Sequence, residues 1–482
     1  AGGTAWWPDW ARRFPRGWDY PLSRDINALM DWLVNEASLG FMSFREFTRG
    51  LAWLMDLPLG AAMALLAEGF SIGQGQAAVQ WLPPLPWPAV VLGAFALGHY
   101  ARDWKLGALV GGCFLYLAVF GQWQSAMVTL ASIVIAVPFG VLAGLTLGIA
   151  GHRHTWLGML LRPLLDLMQT VPVFAYLLPV LFLFGFGPVA AMLATIIYAM
   201  PPMIRLTWLA LASVPGEIMD FGRMVGCTRR QLLWKVHIPA VLPTLMVGVN
   251  QVIMLSLNMV IIASMIGAGG LGFEVLTSLR RLDIGAGLEA GVAIVVLAVA
   301  LDRLSQALAH RAPRAMASGS RGWRRYPRLG LFVGLVVLLG VLGAIWPGLR
   351  EYPEGWQLST GPLLADLVEW INVNFFDTLE LIRASLLIHV LVPVKRFLLT
   401  LPWPWVLALL GVAGWQLGRW RLALGVVLLA GFILLNGQWR NAMETVYLCG
   451  ISTLIAALIG LPLGVLGAAG EWRWRFTQGV ID

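Results

Sequence analysis

Charge is scarce in this chain. Only 12% of its 482 residues are Asp, Glu, Lys or Arg, 59% are hydrophobic, and the mean hydropathy is +0.77. A soluble protein of this length needs about twice that charge to cover its surface. Cysteine is scarce as well. Cys113, Cys227 and Cys449 lie far apart with no metal-ligand spacing, so they read as small apolar fillers. The G-x-x-x-x-G-K-[ST] phosphate cradle is missing, and there is no carboxylate pair, histidine cluster or nucleophile elbow. These gaps exclude an ATPase or hydrolase on this chain. The first residues carry no cleavable signal pattern.

Long apolar runs fill the sequence instead, several near the roughly 18 residues that cross a bilayer. Helices are predicted near 87–101, 105–120, 125–150, 171–185, 187–212, 241–266 and 284–308, then near 329–347, 402–418, 421–436 and 441–468. Pro138 and Pro179 fall inside spans, where membrane helices tolerate them. The segments 51–70 and 376–400 carry Asp56, or Arg383, Lys395 and Arg396, and read as amphipathic interfacial helices.

The net charge of +8 follows the positive-inside rule and does not call for nucleic acid. Arg102 and Lys105, His152 to Arg162, Arg223 to Lys235, and Arg311 to Arg328 occupy alternate connections and are placed in the cytoplasm. Residues 121–124 and 185–188 are uncharged and face out. Arg280-Arg281 is the exception, with Asp283 beside it.

The chain also repeats itself at an offset of 316 residues. Leu85-Pro-Trp-Pro88 recurs as Leu401-Pro-Trp-Pro404, and Gly121-Gln-Trp123 as Gly437-Gln-Trp439. Gly144, Gly148, Gly151, Trp156 and Asp166 match Gly460, Gly464, Gly467, Trp472 and Asp482. Upstream the offset becomes 338, pairing Asp31-Trp32 with Glu369-Trp370, and Ala5-Trp-Trp-Pro8 resembles Ala344-Ile-Trp-Pro347. Trp, Pro and Gly at one shared offset are not chance matches. The expected layout is an N-terminal periplasmic or interfacial segment 1–86, a first transmembrane domain 87–309, a basic cytoplasmic linker 310–328 with six arginines, and a second, parallel copy 329–482. The second copy is expected to stop before its later helices, and the first to lack its opening helix, as in a piece of a longer chain.

One polar, basic stretch stands between apolar runs: residues 214–239, VPGEIMDFGRMVGCTRRQLLWKVHIP. Pro215 and Glu217 suit a helix start, Gly226 a turn, and Arg229 to His237 a second helix ending toward Pro239. Arg229, Arg230 and Lys235 can meet acidic groups of a partner or lipid headgroups. From spacing alone, an ordinary basic loop and a coupling element are equally open.

The spacing Asp220-Phe-Gly222, Gly226, Val236-x-Ile-Pro239 resembles the EAA loop of ABC-importer permeases. Residues 249–272 resemble permeases for glycine betaine, proline betaine and choline. So do Asp166-x-Met-Gln-Thr-x-Pro172, Arg281-Leu-Asp283 and Leu301-Asp-Arg-Leu304. Asp220 stands for Glu, Phe221-Gly222 for Ala-Ala, and Ile238 for Leu, departures that bear on the ATPase contacts. The resemblance implies an all-α polytopic membrane protein, a type I importer transmembrane domain with an incomplete parallel copy. It implies a loop at 213–240, with Asp220, Gly226, Arg229, Arg230, Lys235 and Pro239, docking on a separate ATPase. The implied partners are two ATP-binding subunits, which hold ATP and Mg, and a periplasmic or tethered substrate-binding protein. No cofactor is expected on this chain. The implied place is the bacterial inner membrane, and the implied solute a small trimethylammonium-like osmolyte. That solute would be selected by an aromatic cage on the binding protein and not by the 24 tryptophans here.

Asn250, Gln251, Ser256 and Asn258, with Ser264 less well aligned, read either as a pathway stripe or as interhelical hydrogen-bonding groups. Glu289, nearer the outer end of its helix than Asp302, is the carboxylate of interest for the pathway. Gly267, Gly269 and Gly270 make an outer turn, either a gate or a tight connection. An ion-gradient-driven secondary transporter is the alternative, since repeats occur there too. A structural subunit with no transport role is a third reading.

Overall fold

The computed structural model describes residues 10, 14–15, 17, 20–38, 40, 42–72, 79–264, 267, 269–317, 327–350, 352–468, 470 and 474. They are overwhelmingly helical. In chain order the elements are α1 (Leu22–Asn35) and α2 (Phe44–Met63), which a π-helical turn, Ala64–Glu68, prolongs. A small antiparallel hairpin follows, β1 (Phe70–Ile72) and β2 (Val79–Leu82), with Phe70 opposite Leu82. Then come α3 (Trp87–Ala101), α4 (Trp104–Val119), α5 (Trp123–Arg153), α6 (Thr155–Thr170), α7 (Val173–Phe184) and α8 (Pro188–Ala212). The polar region contributes α9 (Gly216–Met224) and α10 (Arg229–Gln231), which a π turn, Leu232–His237, joins to α11 (Ile238–Ala263). The remainder is α12 (Leu271–Arg281), α13 (Ile284–Ala317), α14 (Pro327–Ile345), α15 (Gly361–Asn374), α16 (Phe376–Leu386), α17 (Val392–Thr400), α18 (Trp403–Leu435) and α19 (Trp439–Ala468). Two compact units emerge: Ser38–Trp370, and Ala1–Ala37 with Ile371–Asp482.

In the larger unit α5, α8 and α11 form the centre. Glycines on α5 let α8 approach closely: a β-carbon at Gly144 would meet the Met203 side chain at 2.6 Å, and one at Gly148 would meet Thr207 at 2.6 Å. This is the small-residue packing that membrane helices use when no hydrophobic force joins them. Among the described residues six unbroken helices are long and apolar enough to cross a membrane, and α18 makes a seventh only if its two arms, joined at non-helical Gly418 and Arg419, are counted as one. An eighth crossing is possible if α6 and α7 count as one span bent by 106°. The bend falls at Pro172, which supplies no N–H to continue α6.

Three expectations need correction. The segment 51–70 is not an isolated interfacial helix. It belongs to a 25-residue helix, Phe44–Glu68, with a mean hydropathy of 1.6 over its apolar window. Met55, Leu59 and Ala62 are buried on it, and Met55 and Leu59 join the cluster of α5, α7 and α8 residues. Asp56 is exposed on the other face, so one carboxylate hid a packed stripe. The 1–86 segment therefore splits: α1 has no buried residue, while α2 is part of the core. The helices at 87–101 and 105–120 have 15 and 16 residues, so each is about 22–24 Å long. That falls short of the roughly 30 Å of bilayer hydrocarbon. Of the linker expected at 310–328, the described residues at its two ends are helical, α13 running to Ala317 and α14 starting at Pro327. Residues 318–326 lie outside the described residues.

The repeat has counterparts in local geometry. α18 is broken by non-helical Gly418 and Arg419, which sit 316 residues beyond the Arg102-Asp103 break between α3 and α4. Gly98 approaches Gly107 where α3 crosses α4, with a would-be β-carbon 2.9 Å from the Gly107 Cα. A β-carbon built on Gly414 would lie 2.8 Å from the Ala423 Cα in the corresponding place. Gly121 and Gly437 have φ of 69° and 68°. α19 begins at Trp439, the counterpart of Trp123 at the start of α5.

Candidate coupling platform and translocation face

α9 ends because Gly226 takes φ of 81°. Gly226 donates its N–H to the Arg223 carbonyl at 2.9 Å and Cys227 donates to Gly222 at 3.1 Å. This double closure is the Schellman pattern, and its left-handed position suits glycine. Thr228 then starts the next helix with a capping box. Its hydroxyl accepts from the Gln231 N–H at 3.3 Å, and the Gln231 side chain accepts from the Thr228 N–H at 2.9 Å. The expectation that Arg229–His237 forms a separate helix ending toward Pro239 is corrected. The π turn Leu232–His237 carries the helix through Pro239 into α11. A π turn widens the ladder just where the proline ring would crowd a carbonyl one turn back.

The result is a helical bracket with a buried hinge and an exposed rim. Gly222 is buried against Leu232 and Val236. Phe221, Met224 and Val225 are exposed at 63%, 78% and 66%. Asp220 pairs with Arg223 at 3.3 Å on the same surface. Arg229, Arg230, Lys235 and Pro239 are all exposed. A cleft of about 800 Å³ opens beside the bracket. Its ionisable lining is His152, Arg153, His154, Arg223, Arg229, Arg230 and His237, without a carboxylate. A surface of this kind suits a partner carrying acidic groups around an apolar contact.

The structure separates the residues expected to line a pathway. Asn250 faces α13, where its Oδ1 accepts from the Ser305 hydroxyl at 2.6 Å. Ser264 is buried and donates back to the Val260 carbonyl at 2.6 Å. Glu289 is buried and accepts from the Ser359 hydroxyl at 3.0 Å, the Thr360 N–H at 3.1 Å and the Gly361 N–H at 3.2 Å. It caps the start of α15 from the side of α13, so its lone pairs are occupied. Asn258 is exposed, and with it the face Thr244, Val247, Gln251, Met254. The sequence placed Gln251 among the polar residues of this helix without setting it apart from Asn250. The signal was its distance of seven residues from Asn258, which leaves them about 20° apart around the helix, against about 80° for Asn250 and Asn258.

The outer turn expected at Gly267, Gly269 and Gly270 has left-handed backbone at all three glycines, with φ of 103°, 73° and 84°. Thr129 of α5 fastens the turn by accepting from the Leu271 N–H at 3.0 Å while donating to the Ser125 carbonyl at 2.9 Å. A second cleft, about 450 Å³, lies between α6 and α8. There Asp166 is ion-paired with Arg205, and Arg162 stacks 4.5 Å from the centre of the Trp208 ring.

Residues 136–314 match the family described as binding-protein-dependent transport system inner membrane component. The chain is 34% identical over 468 residues to the trimethylamine N-oxide transport system permease protein TmoV of Ruegeria pomeroyi, covering 96% of this chain and 69% of that protein. The chain belongs to this family of ABC-importer permeases. It is 37% identical over 410 residues to TmoV of Pelagibacter ubique, covering 83% and 57%. With the glycine betaine/proline betaine transport system permease protein ProW of Escherichia coli it shares 42% over 310 residues, covering 64% and 79%. It also aligns with inward-facing conformations of the MetNI methionine ABC transporter at 24% identity and a TM-score of 0.34, over 39% of this chain and 92% of that one. The permease is thus a transport component of the inner membrane and not an enzyme. The ion-gradient alternative is set aside. The family-matched region contains the bracket, the α11 face and the outer turn.

Proposed function

We propose that this permease works with two ATP-binding subunits, which hold ATP and Mg, and with a substrate-binding protein, to import a small trimethylammonium-type solute or trimethylamine N-oxide. The observation that carries the coupling reading is the bracket itself. A buried Gly222–Leu232 hinge presents Phe221, Met224 and Val225 outward beside Arg229, Arg230 and Lys235. A bracket continuous with α11 passes a push at its rim straight into that helix, because no flexible loop intervenes. Asp220, Gly226 and Pro239 then serve the shape of the bracket: an ion pair, a left-handed turn and a helix passage. The pathway reading rests on Gln251 and Asn258, two exposed amides in the middle of an apolar helix, where polar groups are costly unless they face water or protein. Gly267, Gly269 and Gly270 hold the outer end of that helix. The substrate class rests on the names of the relatives.

The test is reconstitution of the permease with its ATPase and binding protein in liposomes. ATP-dependent uptake of labelled trimethylamine N-oxide, with glycine betaine and choline as competitors, is the expected outcome. Uptake that ignores ATP would overturn the coupling reading. Uptake of none of these solutes despite stimulated ATP hydrolysis would overturn the substrate class alone.

A further inference from the structure

Two pairs of contacts are copies of one another with their partners exchanged. Leu358 donates its backbone N–H to the Val119 carbonyl at 2.8 Å, and Tyr20 donates to Leu435 at 2.7 Å. Tyr352 meets Trp87 edge-on, with ring centres 5.2 Å apart and planes at 69°. Phe14 meets Trp403 in the same manner, at 5.7 Å and 80°. Trp87 and Trp403, like Val119 and Leu435, are separated by 316 residues, the offset that relates the bodies of the two copies. Phe14 and Tyr352, like Tyr20 and Leu358, are separated by 338, the offset that relates the segments leading into them. In every case the leading residue of one copy sits on the body of the other.

The compact units divide the chain in the same way. Residues 1–37, which lead into the first copy, group with 371–482, the body of the second. Residues before 371, which lead into the second copy, group with the first. The receiving surfaces are built alike, since each is the end of a short helical hairpin whose arms cross at Gly98 and Gly107 or at Gly414 and Ala423. Three further hydrogen bonds, from residues 359–361 to Glu289, lock one of the two docked segments.

We infer that the two copies exchange their leading segments reciprocally, so that each hairpin end is closed by the segment that introduces the other copy. The surface at Trp87 and Val119 is therefore an interaction surface for a second copy of this fold, with an aromatic residue and a backbone N–H six residues apart as its ligand. The halves are interlocked and not merely tethered through residues 318–326. By the charge rule the clasp at Trp87 and Val119 lies on the outer side. This inference does not depend on the solute or on the ATPase.

Disulfide trapping in the full chain tests it. Cys113, Cys227 and Cys449 are first changed to Ser, and a protease site is placed within 318–326. The exchanged pairs are Tyr20→Cys with Leu435→Cys, and Leu358→Cys with Val119→Cys. The unexchanged pairs are Tyr20→Cys with Val119→Cys, and Leu358→Cys with Leu435→Cys. After oxidation in membranes and cleavage, the exchanged pairs are expected to run as one full-length band that reduction splits. The unexchanged pairs are expected to give two fragments with both thiols still open to maleimide. Fragments from the exchanged pairs, with thiols protected in the unexchanged ones, would overturn the inference. A single photoreactive phenylalanine at Tyr352 keeps the ring and guards against misfolding of the double variants. Illumination should join the fragments, and failure to join them would count against the exchange.

Discussion

Leu232 occupies the space that a side chain on Gly222 would need, for a β-carbon built there meets Leu232 Cδ1 at 2.5 Å. The contact atom is the far end of a flexible side chain, so one methyl can be absorbed. Gly222→Ala is expected to keep uptake close to normal, while Gly222→Val forces the bracket apart, at about 1–3 kcal/mol for overpacking. ATP-dependent uptake and membrane insertion are the readouts. Normal uptake with Val would show that the hinge does not transmit force.

Gly226 carries a different constraint. Its φ of 81° is left-handed, and no atom crowds a β-carbon there, so the cost of Gly226→Trp is in the backbone, about 1–2 kcal/mol. That variant, and charge reversal of Arg229 and Arg230 together, are expected to uncouple ATP hydrolysis from uptake with insertion unchanged. Full transport in both would remove the coupling role from this region.

Gln251 and Asn258 lie on the exposed face, whereas Asn250 is bonded to Ser305. Leu at 251 and 258 is expected to reduce uptake by about tenfold, equivalent to about 1.4 kcal/mol on the barrier, with an unchanged melting temperature. Asn250→Leu is expected to behave oppositely, lowering stability by about 1 kcal/mol through the lost hydrogen bond. Thermal melting alongside uptake separates the two, and identical behaviour of both variants would sink the assignment of faces.

Glu289 accepts three hydrogen bonds as a buried carboxylate. Glu289→Gln places an amide against backbone N–H groups and is expected to destabilise the permease by about 1–3 kcal/mol. The KM for solute should stay the same. A raised KM with unaltered melting would return Glu289 to the pathway.

Much of this arrangement could be read from residue spacing. Helix positions followed from apolar runs, because a bilayer demands them. The turn at Gly226 followed from a glycine between the helix start at Pro215 and Glu217 and the basic run Arg229 to His237. Other features could not be read. Asp56 argued against a packed helix at 51–70, since a linear pattern does not show that one carboxylate faces away from Met55 and Leu59. Asn250, Ser264 and Glu289 looked like Asn258 in sequence, yet each found a partner on the protein.

By itself the sequence determined that this chain crosses a membrane, that one basic segment resembles a coupling loop, and that Trp, Pro and Gly recur at an offset of 316 residues. Those properties are local, set by hydropathy, glycine and proline at fixed spacing. Only the tertiary structure decided which polar groups stay exposed on α11, which become caps and helix-to-helix bonds, and which copy each leading segment serves. The physical reason is that hydrogen-bond satisfaction and packing are settled between residues far apart in the chain. Tyr20 on Leu435 and Leu358 on Val119 are partnerships that no offset within a single copy could reveal.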